Sequence, residues 1–399
     1  MTLTSVSTKL AVRGGTPVRN NWLPYGRQTI DEQDIAAVAE VLRSEWLTQG
    51  PNIDEFEKAV AKYCSVNHAV AVNSGTAALH AAYHAVGLGK GDHIVMPGMS
   101  FAATANAALY LGAEPVFCDI ESDTGNVDVH DVARKITAKT KAIVGVDFSG
   151  QPCNLAKLRA IADDRKLPLI IDGAHSIGAT YASGPAAQIA DLTTFSFHPV
   201  KAITTGEGGM IVTNNDEFAK RMKRFRTHGI EKNSKQFLHE SHGAWYHEMQ
   251  ELGFNYRITE FQAALGLSQL GKLDSFLKRR REIAKKYDQA FATLENFDVL
   301  AQRKYGESAY HLYPVLVKRD RKFAVEALHG ENIGVQIHYI PIFRHPFYEQ
   351  SFAKPECPKT EAFYERVINL PIFPLMTDSD VSDVISAVRK VDQALTEQA

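Results

Sequence analysis

His68-Ala69-Val70-Ala71-Val72-Asn73-Ser74-Gly75-Thr76-Ala77-Ala78-Leu79 sets the reading of the whole chain. An apolar run stops at Asn-Ser-Gly, and an alanine-rich stretch starts at once. The pattern predicts a strand over His68–Val72 that turns directly into a helix over Thr76–Val86. Free N–H groups at that helix start, with the Gly75 backbone and the Thr76 hydroxyl, form a cradle suited to an anion such as phosphate. Ser-Gly-Thr is equally an ordinary N-cap, and the residues alone leave both readings open.

Working outward, six more short apolar runs follow, at His93–Met96, Pro115–Asp119, Ala142–Asp147, Leu169–Asp172, Thr193–Phe197 and Met210–Thr213. Amphipathic stretches such as Ala102–Leu111 separate the early ones. Strands alternating with helices imply crossovers and an α/β fold with a mostly parallel seven-stranded sheet covered on both faces. Ligands of such sheets bind beyond the carboxyl ends of the strands, so residues there merit a chemical reading.

Residues 1–28 are irregular and read as an arm lying on a surface. Helices are predicted over Asp31–Ser44 and from Ile53 to Tyr63, and a large domain over 29–258. One long helix, 259–295, connects it to a smaller α+β domain over 296–399. That domain should hold elements at His311–Val317, Arg321–His329, Gly334–Tyr339 and Ser379–Leu395. The basic run Lys278-Arg279-Arg280-Arg281 on the connector reads as a solvated helix face.

The 399 residues are 45% apolar and 23% charged, enough for large cores without covalent staples. The 44 basic and 46 acidic residues give a net charge of −2, which excludes a protein held to nucleic acid by bulk charge. Cys64, Cys118, Cys153 and Cys357 show neither disulfide nor zinc spacing. No secretory signal and no apolar run near the ~20 residues of a membrane helix is present. The expectation is a soluble, cytoplasmic protein without membrane contact.

Three further segments bear chemistry. Asp172, in Leu169-Ile170-Ile171-Asp172-Gly173-Ala174-His175, ends an apolar strand, and burial there would require a cation or several donors. A protonated ring nitrogen of a cofactor is one such partner, with His175 reaching the same ligand; a turn-former with an incidental His is the alternative. Ser196-Phe197-His198-Pro199-Val200-Lys201 puts a lysine beyond a strand end, ahead of Gly206-Glu207-Gly208-Gly209. A functional lysine needs its amine freed by crowding or nearby charge. Asn255 and Arg257 open the long helix, as caps or as ligands. His239, His242 and His247 lack metal-site order, and no metal is expected.

Together, NSGTAAL, FSFHPVKAITTGEGG, FRTHG and GFNYRITEFQAALGLSQL resemble the fold type I pyridoxal-phosphate enzymes, and more narrowly the DegT/DnrJ/EryC1/StrS sugar aminotransferases, over nearly the whole chain. The resemblance implies pyridoxal 5'-phosphate held by Lys201, with Asp172 on the ring nitrogen and Phe101 against the ring. It places His175 near the phenolic oxygen and gives Gly75, Thr76 and Ser196 to the phosphate. Asn255 would reach that phosphate from a neighbouring subunit, which implies a homodimer with shared sites.

FHPVKAITTGEGG, Tyr310-His311-Leu312-Tyr313-Pro314 and Ile337-His338-Tyr339-Ile340-Pro341-Ile342 are most similar to the pseudaminic-acid branch of the family. That branch implies transfer from glutamate to a UDP-linked 4-keto-6-deoxy sugar, UDP-2-acetamido-2,6-dideoxy-beta-L-arabino-hexos-4-ulose. Amination at C3, another UDP, dTDP or GDP keto sugar, and a non-catalytic regulator are the alternatives. Lys201 favours transamination over the dehydration of relatives that carry histidine there. Asp147-Phe148-Ser149-Gly150 departs from the His-Leu-Tyr-Gly type of many relatives. Tyr25, His338 and Tyr339 are expected on the sugar-nucleotide side, where charge-assisted donors would meet a diphosphate.

Overall fold

The computed structural model describes residues 9–398; the first eight residues of the expected arm lie outside the described part. Seven strands form the main sheet: β1 (His68–Val72), β2 (His93–Pro97), β3 (Glu114–Cys118), β4 (Thr140–Val146), β5 (Leu169–Asp172), β6 (Leu192–Ser196) and β7 (Gly209–Thr213). Their order is β1-β7-β6-β5-β4-β2-β3. β7 alone runs against its neighbours, pairing Gly209 with both Val72 and Ser196. β2 to β6 are parallel, with Val146 opposite Asp172 and Asp172 opposite Thr194.

Alternate residues of each strand enter different cores, as a sheet buried on both faces requires. Ile171, Phe195 and Met210 pack with Phe56 and Val60 on one side. Ile170, Leu192 and Ile211 pack with Leu79 and Tyr83 on the other. The sheet's carboxyl edge therefore collects the Ser74-Gly75 turn, Asp172 and Ser196 in one row.

The C-terminal part holds a three-stranded sheet, β8 (Phe297–Val299), β9 (Tyr313–Val317) and β10 (Val367–Leu370), in the order β8-β9-β10. Its core combines Tyr313, Val315, Leu328, Ile368 and Val388 with Leu10 and Leu23 of the arm. The arm does more than lie on a surface: Leu10 and Leu23 are buried.

Three expectations are corrected. The single connecting helix is two, Glu260–Leu270 and Leu273–Phe291. The break falls at Gly271-Lys272, where glycine is a poor helix former and Lys272 is pulled to Asp31 and Asp34 at 2.8 and 2.6 Å. The basic run is not a solvated face. Arg280 is buried, and its guanidinium donates to the carbonyls of Tyr310, His311 and Ile372. Gly334–Tyr339 is not a strand: Gly334 donates to Leu23 of the arm, and only Gln336 bridges to Asn369.

Candidate active site

The helix Gly75–Ala85 starts where β1 ends, capped by the Ser74 hydroxyl, which accepts from the Ala77 N–H at 3.1 Å. Cap and cradle thus coexist. The cap uses one of the first N–H groups and leaves those of Gly75 and Thr76 at the helix mouth. Gly75 is required sterically, because a Cβ there would lie 2.8 Å from the Ser196 Cβ. Gly209 is equally constrained, since a Cβ would meet the Ser74 carbonyl oxygen at 2.3 Å. The glycines hold the helix mouth and the Ser196 hydroxyl side by side.

Asp172 is buried and does receive donors. Its Oδ2 accepts from the Thr104 hydroxyl at 2.7 Å and its Oδ1 from the Ala174 N–H at 3.2 Å. Thr104 has one proton to give, so the Ser100 hydroxyl, 2.7 Å away, donates to Thr104. Burial raises the Asp172 pKa, and Thr104, Ala174 and the Lys201 amine work against that rise. The Lys201 pKa is lowered to about 8 by burial, opposed by Asp172. A lysine and a carboxylate thus share one low-dielectric space, each with its charge made costly.

Opposite the sheet edge stands a wall from the C-terminal part. Tyr339 hydroxyl and His175 Nε2 share a hydrogen bond of 3.0 Å, and the His311 ring lies 4.5 Å from that of His175. The Tyr25 ring lies 5.4 Å from His338. Burial pushes the pKa of His175 and His311 well below the imidazole range, and that of His338 down to about 4, with Lys201 adding to each. These imidazoles are neutral at pH 7. A charge-assisted contact from His338 is therefore replaced by a neutral donor or acceptor.

One cavity of about 420 Å³ is lined by Gly75, Thr76, Phe101, Asp172, His175, Ser196 and Lys201 on the sheet side, and by Tyr25, His338 and Tyr339 across from them. Phe101 presents its ring to this space, 61% exposed and 5.9 Å from the Tyr339 ring. Asn255 is not among the lining residues. It is exposed at the Thr227 bridge, and its carbonyl accepts from Asn73. A larger cleft of about 600 Å³ lies elsewhere, lined by Lys223, Arg224 and Arg226. Those cations are answered by Glu57 and Glu251, and the cleft carries no comparable acid–amine pair.

Sequence reasoning missed Thr104 and His311 as members of the site. Thr104 stands three residues after Phe101, in the first turn of the helix Ala103–Leu109 that follows it. His311 was visible only as part of a motif. It is placed by contacts remote in sequence: Leu312 donates to Ser149, Ala309 to Gly150, and a Cβ on Gly150 would strike the His175 carbonyl oxygen at 2.8 Å. The departing Asp147–Gly150 segment is thus the seat of the His311 loop. The histidines 239, 242 and 247 lie on a loop organised instead by Glu248, which accepts from the Leu238 and His239 N–H groups at 2.7 and 2.8 Å.

The profile of the DegT/DnrJ/EryC1/StrS aminotransferase family matches residues 28–389. The chain belongs to this family. It is a pyridoxal-phosphate-dependent sugar aminotransferase of fold type I. Among DegT/DnrJ/EryC1/StrS relatives, the chain is 39% identical to the spore coat polysaccharide biosynthesis protein SpsC of Bacillus subtilis, covering 94% of this chain and 98% of SpsC. It is 37% identical to a UDP-4-amino-4,6-dideoxy-N-acetyl-beta-L-altrosamine transaminase of Campylobacter jejuni, over 91% of this chain and 95% of that one.

PseC of Helicobacter pylori, an aminotransferase involved in pseudaminic acid biosynthesis, superposes with a TM-score of 0.88 at 34% identity, over 94% of this chain and 100% of PseC. Spr1654 of Streptococcus pneumoniae in its PLP form gives 0.87 at 29% identity, over 94% and 99%. The residues present fit this cofactor: N–H groups and a hydroxyl for a phosphate, a buried carboxylate for a ring nitrogen, an amine for a carbonyl carbon and an aromatic face. Among the described residues no helix is long and apolar enough to cross a membrane.

Proposed function

We propose that the protein transfers an amino group from glutamate to C4 of a UDP-linked 4-keto-6-deoxy-N-acetylhexosamine in the cytoplasm, supplying a pseudaminic-acid-type glycan. The observation that carries the chemistry is that Lys201 and buried Asp172 line one cavity. The resemblance of 37% to the Campylobacter transaminase and the likeness to PseC support the sugar. When bound, pyridoxal phosphate supplies an electron-withdrawing ring and a carbonyl carbon that an amine can join.

The chain's residues divide the remaining work. Lys201 Nζ, with its pKa lowered to about 8, would hold the cofactor and serve as the proton carrier at the reacting carbon. Asp172, fixed by Thr104 and Ala174, would keep a proton on the ring nitrogen. Gly75, Thr76 and Ser196 would hold the phosphate, Phe101 would supply an aromatic face for the ring, and neutral His175 would stand on the phenolic side. A panel of UDP-, dTDP- and GDP-linked 4-keto and 3-keto sugars, each with glutamate, tests the reading. Turnover should be fastest with the UDP 4-keto sugar. Preferential amination at C3, or of a dTDP sugar, would replace the substrate while keeping the enzyme class.

The cavity's other side sorts the two substrates. His338→Ala removes a neutral hydrogen-bonding group worth about 0.5–1.5 kcal/mol. KM for the sugar nucleotide should rise about three- to tenfold, with KM for glutamate changed less. Equal changes in both would take this loop out of sugar-nucleotide recognition.

Asn255, which faces away from its own cavity, is proposed to reach the partner subunit's cofactor phosphate across a two-fold axis. Exposed Leu238, Trp245, Met249, Leu252 and Phe254 on the surrounding segment give that axis an apolar surface to bury. Sedimentation at assay concentration should show an active dimer. An active monomer would contradict the shared site.

A further inference from the structure

Glu331 and Lys390 form an ion pair of 2.8 Å inside the C-terminal part, Glu331 fully buried and Lys390 6% exposed. A pair that served only that core would need nothing more. The Glu331 carboxylate, however, also accepts from the N–H of Ala11 at 2.9 Å through Oε1 and of Val18 at 2.7 Å through Oε2. Lys390 Nζ donates to the Thr16 carbonyl at 3.1 Å. One buried pair thus grips the arm at three points, across a turn that Gly14 makes at φ +83°. Ala11, Thr16, Val18 and Lys390 all fall outside the stretch 28–389 that the family profile matches.

The residues after Glu331 continue the same attachment. Asn332 Nδ2 donates to the Arg19 carbonyl at 2.7 Å, Leu23 N–H donates to the Asn332 carbonyl at 3.0 Å, and Gly334 N–H donates to the Leu23 carbonyl at 2.7 Å. Two residues beyond Leu23, Tyr25 enters the cavity. Its carbonyl accepts from Ile372 at 3.2 Å, and its ring lies against His338. His338 belongs to the segment that Glu331 begins. Clasp, arm bridge and cavity wall are therefore one continuous construction.

We propose that Glu331 and Lys390 are positioning residues: their buried pair clasps the arm so that Tyr25 is held against His338 on the sugar-nucleotide side of the cavity. This rests on the assignment of Tyr25 to that side. Neither residue lines the cavity, and the pair acts through the arm that carries Tyr25.

The test uses the full-length holoenzyme with Glu331→Gln, Tyr25→Ala and the double variant, with amide exchange read at Ala11 and Val18. Glu331→Gln should raise KM for the UDP keto sugar about three- to tenfold, leave KM for glutamate and kcat within twofold, and speed exchange at least tenfold at one of the two amides, since the side-chain amide keeps a single acceptor oxygen. The double variant should raise KM no further than Tyr25→Ala does. Multiplying KM effects, or slow exchange retained at both amides in Glu331→Gln, would overturn the clasp.

If Glu331→Gln fails to fold, Ala11→Pro takes its place. It removes one gripped N–H at the first position of the short helix Ala11–Arg13, where proline is tolerated, and leaves the buried charges paired. It should shift the same KM, and an unchanged KM alongside a raised one in Tyr25→Ala would overturn the clasp. A Tyr25→Ala variant with unchanged KM would instead remove Tyr25 from the sugar side. The exchange at Val18 would then still decide whether the arm is clasped.

Discussion

Lys201→Ala should lower kcat by at least three powers of ten, each power being about 1.4 kcal/mol of barrier. Lys201 is the one amine among the residues lining the cavity, and it stands beside Asp172 at the sheet's carboxyl edge. Its pKa of about 8 makes the free base available near neutrality. A methyl group there can neither hold the cofactor covalently nor carry a proton. The fold should persist, because the side chain makes no hydrogen bond that the surrounding loop depends on. Some cofactor should still bind through Gly75, Thr76 and Ser196. Capture of pyridoxal phosphate by the wild-type apoprotein should also strengthen as pH rises through about 8, since only the neutral amine reacts. Single-turnover rates with glutamate measure the first effect, and more than a tenth of wild-type activity in the variant would remove Lys201 from the chemistry.

The second large effect belongs to Asp172. In Asp172→Asn, the amide offers one oxygen where the carboxylate offers two, so either Thr104 or Ala174 faces an N–H₂ group. With Asp172 opposite the ring nitrogen, as proposed, the substitution would remove the negative charge that keeps the proton there. kcat should fall about 100- to 1,000-fold, or about 3–4 kcal/mol of barrier, with cofactor still bound. Asp172→Ala should in addition weaken cofactor binding, measured by equilibrium dialysis. Normal rates in both variants would reduce Asp172 to a turn residue, a reading its burial and its two donors oppose.

The strands were legible because each is a short apolar run closed by a turn signal. The runs read at His68, Leu169 and Met210 agree with β1, β5 and β7 to within a residue. Asp172, Ser196 and Lys201 could be singled out for the same reason: the topology puts strand ends on one edge. What the sequence concealed depends on partners distant along the chain. Arg280 looks like its three basic neighbours, yet of the four only Arg280 is fully buried, on carbonyls 30 to 92 residues away. Gly334–Tyr339 has a strand-like composition, but Gly334 bonds to the arm and only Gln336 pairs with a strand. The break at Gly271 hides within continuous helical periodicity. Thr104 gains its role only because Asp172, 68 residues later, folds back against it.

The central claim is that the Lys201 amine holds the cofactor in the Asp172 cavity. Borohydride reduction of the holoenzyme, followed by peptide mapping, tests it most directly. The phosphopyridoxyl mass should lie on the peptide containing Lys201, and Lys201→Ala should yield no labelled peptide. A stoichiometric label on any other lysine would contradict it.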